Sequence, residues 1–379
     1  MRKFLLCSGP LLCENSRVLP IPEKKTAKGE ETDMRFIKSL ILCTILVMLC
    51  LISSQCFAET KSFSSVKAAI EYVNTNQPAE LTLEKNKFKP TDLLKIKNAM
   101  PENSVFHFTT AWGKVTFSDD VEDLDLKPKD AGVTIDELRA IVQLCPNLKS
   151  VDNSNKANPS NKDMIPLIEE YPDIHFDWKI NLGKGHYVSS KATVYSTMNR
   201  IGSGKELNSS NLELLKYCPN LKALDIGHNN VTTLDFLQYV PDLELLIIAD
   251  NEVTDITPIG QLKHLKYAEL FKNSFSDLSA LANCTELLDL NITWCPVTDL
   301  SPLDDIQTLE RFWANMMRKL PEEQIGRFRE KHPNTESYFY PSHAATVDGW
   351  RDHPRYKHYI WCFKNHQWIP FDEPLPTKK

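Results

Sequence analysis

The feature that most constrains this chain is a repeat: Leu221, Leu243, Leu265, Leu287 and Leu309 stand 22 residues apart. Around the first four the chain reads L-x-x-L-x-L-x-x-N-x-V-x-x-L. The first copy runs Leu221, Leu224, Ile226, Asn229, Val231 and Leu234, and the second Leu243, Leu246, Ile248, Asn251, Val253 and Ile256. Unrelated sequence does not keep so many positions in register over successive copies. In L-x-x-L-x-L the apolar residues alternate with others, which is the period of a strand with one buried face. One such strand cannot bury that face alone, so the copies must stack into a parallel sheet over a shared core. The expected fold is α/β: a leucine-rich-repeat solenoid with a curved parallel β-sheet on the concave side, short helices and turns on the convex side, and helix-strand caps.

The remaining repeat letters fit this scheme. Asn229, Asn251 and Asn273 form a column of amides suited to satisfying backbone groups where the chain leaves the strand, and Cys295 holds that place in the fourth copy. Thr254-Asp255-Ile256-Thr257-Pro258 and Thr298-Asp299-Leu300-Ser301-Pro302 read as caps of short helical turns. A calcium ladder is disfavoured, because each repeat offers one carboxylate and calcium takes roughly six or more oxygens. The short unit and these convex segments resemble internalin-type bacterial leucine-rich repeats over about a quarter of the chain. The resemblance implies a horseshoe that binds protein through its concave sheet.

Residues 1–33 have scattered charge and no periodicity. Met34-Arg35-Phe36-Ile37-Lys38, the apolar run Leu40 to Ile52 and Cys56-Phe57-Ala58 then read as a secretory signal over 34–58, cleaved after Ala58. Such a signal belongs at an N-terminus, so translation is expected to begin at Met34. An uncleaved anchor stays open, giving membrane contact through this segment alone, although the run is shorter than the roughly 20 residues that span a bilayer. Gln55 argues against lipid attachment at Cys56. Residues 1–58 hold 8 basic and 5 acidic residues, so the remainder carries 36 against 45, a net −9. No nucleic-acid partner is expected from an acidic chain without a basic patch.

Five of the ten cysteines lie beyond residue 58: Cys145, Cys218, Cys284, Cys295 and Cys362. An odd count without C-x-x-C spacing gives neither a disulfide framework nor a zinc site. Cys145, Cys218 and Cys284 each stand three residues before a repeat's first leucine, a place for a small buried side chain. Leu148 and Val151, with Val121, Leu124 and Leu126 before them, extend the array as longer copies with a helix between. Three segments pair a helix with an aromatic strand across a proline: Thr91 to Phe108, Lys162 to Trp178, and Pro321 to Tyr340. The expected organisation is a helix-strand cap at 59–112, irregular repeats with an inserted hairpin at 113–212, regular repeats at 213–320 and a C-terminal cap at 321–379.

Within the irregular part, Lys179–Leu182 and Tyr187–Tyr195 are expected to pair as a hairpin. Ile201-Gly202-Ser203-Gly204-Lys205 lacks the leading glycine of a phosphate loop, and Glu206 replaces its Ser or Thr, so a surface loop is the better reading. The tail is rich in aromatics and histidines. Its Gly349-Trp350-Arg351-Asp352-His353-Pro354-Arg355-Tyr356 segment resembles exported leucine-rich-repeat proteins of Gram-positive bacteria, a resemblance that implies no activity. His353, His358 and His366 match no ligand spacing, so no metal and no cofactor are expected.

If the leucines point inward, the residues between them line the concave face. The columns are Ala223, Leu245, Tyr267, Asp289, Arg311; then Asp225, Ile247, Glu269, Asn291, Trp313; then Gly227, Ala249, Phe271, Thr293; then His228, Asp250, Lys272, Trp294. Leu245, Ile247, Tyr267, Phe271, Trp294 and Trp313, flanked by Glu269, Lys272, Asp289 and Arg311, are the expected binding surface for a protein or glycan. The alternative is that the tail folds back over Trp294 and Trp313. No H-E-x-x-H, G-x-S-x-G or paired-carboxylate segment stands out, so no catalytic residue is assigned. An exported hydrolase, with a site in the irregular repeats or the tail, is the competing reading.

Overall fold

The computed structural model describes residues 59–129, 132–154, 159–197 and 207–376. The signal segment, its cleavage point and the Ile201–Glu206 loop lie outside these residues. The chain divides into Met1–Glu59 and Thr60–Lys379, and the architecture below belongs to the second unit.

The unit opens with two helix-strand pairs, Val66–Asn76 with Glu80–Asn86 and Pro90–Ala99 with Val105–Trp112. The two strands are parallel, and Val115–Ser118 turns back antiparallel onto the second. Next come Asp123–Asp125, Ser150–Asp152 and His175–Asp177, a three-stranded parallel sheet in which Leu124, Val151 and Phe176 face one another across the strands. Helices Ile135–Leu144 and Asn161–Glu170 connect them. The first of these starts at a capping box, Thr134 Oγ1 accepting from Glu137 N at 3.2 Å and Glu137 accepting from Thr134 N at 2.9 Å.

The inserted hairpin is shorter than the sequence suggests. Lys179–Gly183 pairs with His186–Ser189, and the chain then turns at Ser190, whose hydroxyl donates to Asp177 at 2.8 Å. Val194–Ser196 leaves the hairpin and becomes the first strand of the main sheet. That sheet has seven parallel strands: Val194–Ser196, Ala223–Asp225, Leu245–Ile247, Tyr267–Glu269, Asp289–Asn291, Arg311–Trp313 and Glu336–Tyr338. Short 3-10 turns such as Thr257–Gln261 and Ser279–Asn283 lead from strand to strand. In them Asp255, Asp277 and Asp299 accept from the backbone N–H two residues on, at 2.8, 2.8 and 2.9 Å. The aspartates are thus engaged in capping.

The repeat leucines are buried in one core, and the asparagines tie each copy to the one before. Asn251 accepts from Val231 N at 2.9 Å and donates to Ile226 O and Ile248 O at 3.0 and 2.9 Å. Asn273 repeats this with Val253, Ile248 and Leu270. A buried amide meets both a donor and two acceptors that water cannot reach. The Cys295 thiol has one proton to give and points at Leu270 O, 3.5 Å away.

Candidate functional site

The strands bring the expected columns into register: Ala223, Leu245, Tyr267, Asp289 and Arg311 lie side by side, as do Asp225, Ile247, Glu269, Asn291 and Trp313. They do not form an open surface. Leu245, Ile247, Tyr267, Glu269, Phe271, Asp289, Arg311 and Trp313 are all buried. The chain's own C-terminal segment covers them, correcting the expectation of a free aromatic stripe. Trp350, Tyr359 and Phe363 join Leu245, Ile247, Tyr267 and Trp313 in a second apolar cluster. Tyr267 meets Trp350 and Tyr359 at ring distances of 5.5 and 5.0 Å, and Trp313 meets Trp350 at 5.0 Å. A covalently attached segment is present at high effective concentration, so it takes a sticky stripe ahead of any free partner.

The covering helix, Pro354–Asn365, is set by its own sequence. His353 accepts from Arg355 N at 3.2 Å as N-cap, Pro354 occupies the first turn, and His366 ends the helix in a left-handed conformation at φ 52°. His358 donates to Ile369 O at 2.8 Å. The three tail histidines are therefore two caps and a strut.

Polar groups of the sheet are matched by the tail. Arg355 grips the fully buried Asp289 carboxylate bidentately, Nε at 2.6 Å and Nη2 at 2.9 Å. Glu269 accepts from Tyr267, Trp350 and Tyr359 at 2.5, 2.9 and 3.0 Å. Arg311 lies against Trp313 and Trp350, 4.9 and 4.5 Å from their ring centres, and donates to Trp350 O at 3.0 Å. Burial holds the Tyr267 and Tyr359 hydroxyls well above their usual range, so both stay protonated as donors to Glu269. Burial also pushes the Asp225 carboxyl up to about 6, against hydrogen bonds from Ser196 and Gly227 that pull it down. Asp225 borders a cavity of about 40 Å³ between the sheet and Arg351, Tyr356 and Tyr359.

Two of the expected binding residues remain outside. Lys272 and Trp294 belong to the last column, where the chain turns sharply as it leaves each strand. His228, Asp250, Lys272, Trp294 and Met316 have φ of 59°, 52°, 58°, 66° and 59°. Asp250 links its neighbours, 2.8 Å from His228 Nδ1 and 2.8 Å from Lys272 Nζ. Trp294 is 44% exposed, and Tyr340 and Val347, at 44% and 42%, lie at the same end of the sheet. Buried Asn315 bonds to the backbones of two of them, its carbonyl accepting from Trp294 N and its side chain from Tyr340 N at 2.8 Å, while the Val347 carbonyl accepts from Trp313 Nε1 at 3.0 Å. Sequence patterning alone did not connect Tyr340 and Val347 to this rim, because they reach it through the tail.

The outer face of the three-stranded sheet is open in part, with Asp177 at its last strand buried. It presents Asp123, Asp125, Ser150, Asp152 and His175, with Lys127 and Lys191 laid across Asp152 at 2.7 and 3.1 Å. Burial alone would raise the Asp152 carboxyl, but hydrogen bonds from Lys127, Ser154 and Lys191 hold it well below its ordinary value. The thiols act differently from nucleophiles: burial pushes Cys145, Cys218 and Cys295 up to about 12 and Cys284 up to about 11.

No family model matches the chain, and no curated protein does so. Among solved structures it is similar to internalin C2 of Listeria monocytogenes, with 15% identity and a TM-score of 0.32 over 66% of this chain and 91% of that one. It is also similar to another internalin of that organism, inlF, at 15% identity and TM-score 0.34, covering 70% and 71%. A leucine-rich-repeat protein of Leptospira interrogans gives 17%, 0.32, 70% and 68%. At such identities the site's own geometry has to carry the functional reading.

Proposed function

We propose that this chain is an exported, non-catalytic binding module built on a leucine-rich-repeat solenoid, and that it recognises a protein partner through the rim at Lys272, Trp294, Tyr340 and Val347. The Met34–Ala58 segment supports export. The observation that carries the reading is the exposure of Trp294: a large aromatic side chain left outside on a sheet whose other aromatics the tail has covered, with Lys272 in the same column one strand before it and Tyr340 two strands after it. Exposed apolar groups gathered at one place mark interaction surfaces, and Trp and Tyr with a flanking cation dominate interface energies. The concave face is assigned to holding the tail.

Site-specific photocrosslinking tests this. A benzophenone side chain placed at position 294 is expected to capture one protein partner in the producing cells or their surroundings, and the same group at exposed Tyr239 is expected to capture none. Lys272→Glu should abolish the capture at 294 while leaving the unfolding temperature unchanged. Equal labelling from 239 and 294 would sink the proposal.

A further inference from the structure

A cavity of about 320 Å³ lies where the hairpin, the Val194–Ser196 strand and the last turn of the Pro354–Asn365 helix meet. It is bordered by Tyr187 and Phe363 and by Lys191, Ser196 and His366, while the Tyr195 side chain turns to the inner core beside Leu224. Its volume is at the lower end of small-molecule sites, and its mixture of apolar walls with a few polar groups is typical of them. The charges beside the cavity are already matched within the protein: the Lys191 ammonium lies 3.1 Å from Asp152 and 3.2 Å from Asp177, and the buried Asp225 carboxyl accepts from Ser196 at 2.8 Å. The helix also turns its C-terminal end toward the cavity through Phe363 and His366, and the partial negative charge of that end repels anions.

We infer that this cavity is a binding site for a neutral saccharide, distinct from the protein-binding rim. A pyranose ring has apolar C–H faces of slight positive charge, which fit the negative face of an aromatic ring. Its hydroxyls donate and accept, which suits serine, tyrosine and imidazole partners and needs no net charge. Tyr187 is 38% exposed at the mouth, so one ring is available for stacking without disturbing the core. Its other side is backed by Lys179, whose ammonium lies 5.4 Å from the ring centre.

Isothermal titration of the purified protein with maltotriose, cellotriose and chitotriose tests the assignment. At least one is expected to bind at a single site with Kd on the order of 1 mM or tighter. Tyr187→Ala should weaken that binding at least about tenfold, as should His366→Gly, which keeps the left-handed cap conformation. Trp294→Ala should leave it unchanged, which separates this site from the rim. The inference is overturned if none of the three trisaccharides binds, or if both cavity variants bind as well as the parent.

Discussion

Two stretches of parallel sheet in this molecule share one alternation and end with different outer faces. In Asp123–Asp125, Ser150–Asp152 and His175–Asp177 the middle residues are buried, while Asp123, Ser150 and His175 beside them reach solvent. In the five strands from Ala223–Asp225 to Arg311–Trp313 every residue is buried. The inner pattern cannot cause this, since Leu124 and Val151 serve the same role as Leu224 and Leu246. The outer residues differ: carboxylates, serine and histidine in one stretch, and Leu245, Ile247, Tyr267 and Trp313 in the other. The apolar stripe gains about 25 cal/mol for each Å² it removes from water, and the charges among it, Glu269, Asp289 and Arg311, are buried with it because the tail supplies their partners. The tail therefore settles on the second stretch.

The contrast is sharpest for ion pairs, because the same contact changes its worth with burial. Arg355→Ala removes the bidentate partner of Asp289 and leaves the buried carboxylate with Arg311 Nη1 at 3.6 Å, so a loss of about 1.5–3 kcal/mol is expected in chemical denaturation. A loss below about 1 kcal/mol would mean that solvent reaches Asp289 and that the tail is loosely held. The next effect concerns protons. Asp225 has its carboxyl raised to about 6 from an ordinary 3.8, so the folded chain keeps a proton that the unfolded chain releases between these values. Its contribution is fully present below about pH 4 and disappears as pH rises through 6, a swing of roughly 3 kcal/mol at most. Stability of Asp225→Asn followed from pH 4 to 7 should lack that decline. Asp152 on the open stretch acts in the opposite sense, since its lowered carboxyl contributes above its ordinary value and is lost in acid. The smallest effect is expected at Lys127→Ala. That side chain is largely in solvent, and removing it from Asp152 should cost about 1 kcal/mol or less, with Lys191 still in place. Equal costs for Lys127→Ala and Arg355→Ala would break the comparison.

Much of this was legible in the residues. The capping aspartates were legible because their partners lie two residues on, and the 22-residue interval placed the inner columns and the asparagine ladder, whose neighbours lie one repeat away. The column register was legible for the same reason. The hairpin was read too long because Ser190 breaks it through Asp177, a contact across a turn. The fate of the outer stripe was harder. The available signal was complementarity between distant segments: Glu269 and Asp289 stand in an apolar surround, and the tail supplies Trp350, Arg355 and Tyr359. Trp294 and Trp313 were read into one surface from different columns, yet Trp313 is sealed under Trp350 and Trp294, at a left-handed turn where the chain leaves its strand, is left outside.

The sequence by itself determined the repeat, its inward faces and the hydrogen bonds that join successive copies, since a periodic pattern specifies contacts at a fixed short separation. Only the tertiary structure decided which outward residues remain available, which buried carboxylates have partners, and where a cavity opens beside the last turn of the final helix. Those outcomes rest on contacts between segments from tens to more than a hundred residues apart, and an alternating strand says which side a residue faces without saying what will come to cover it.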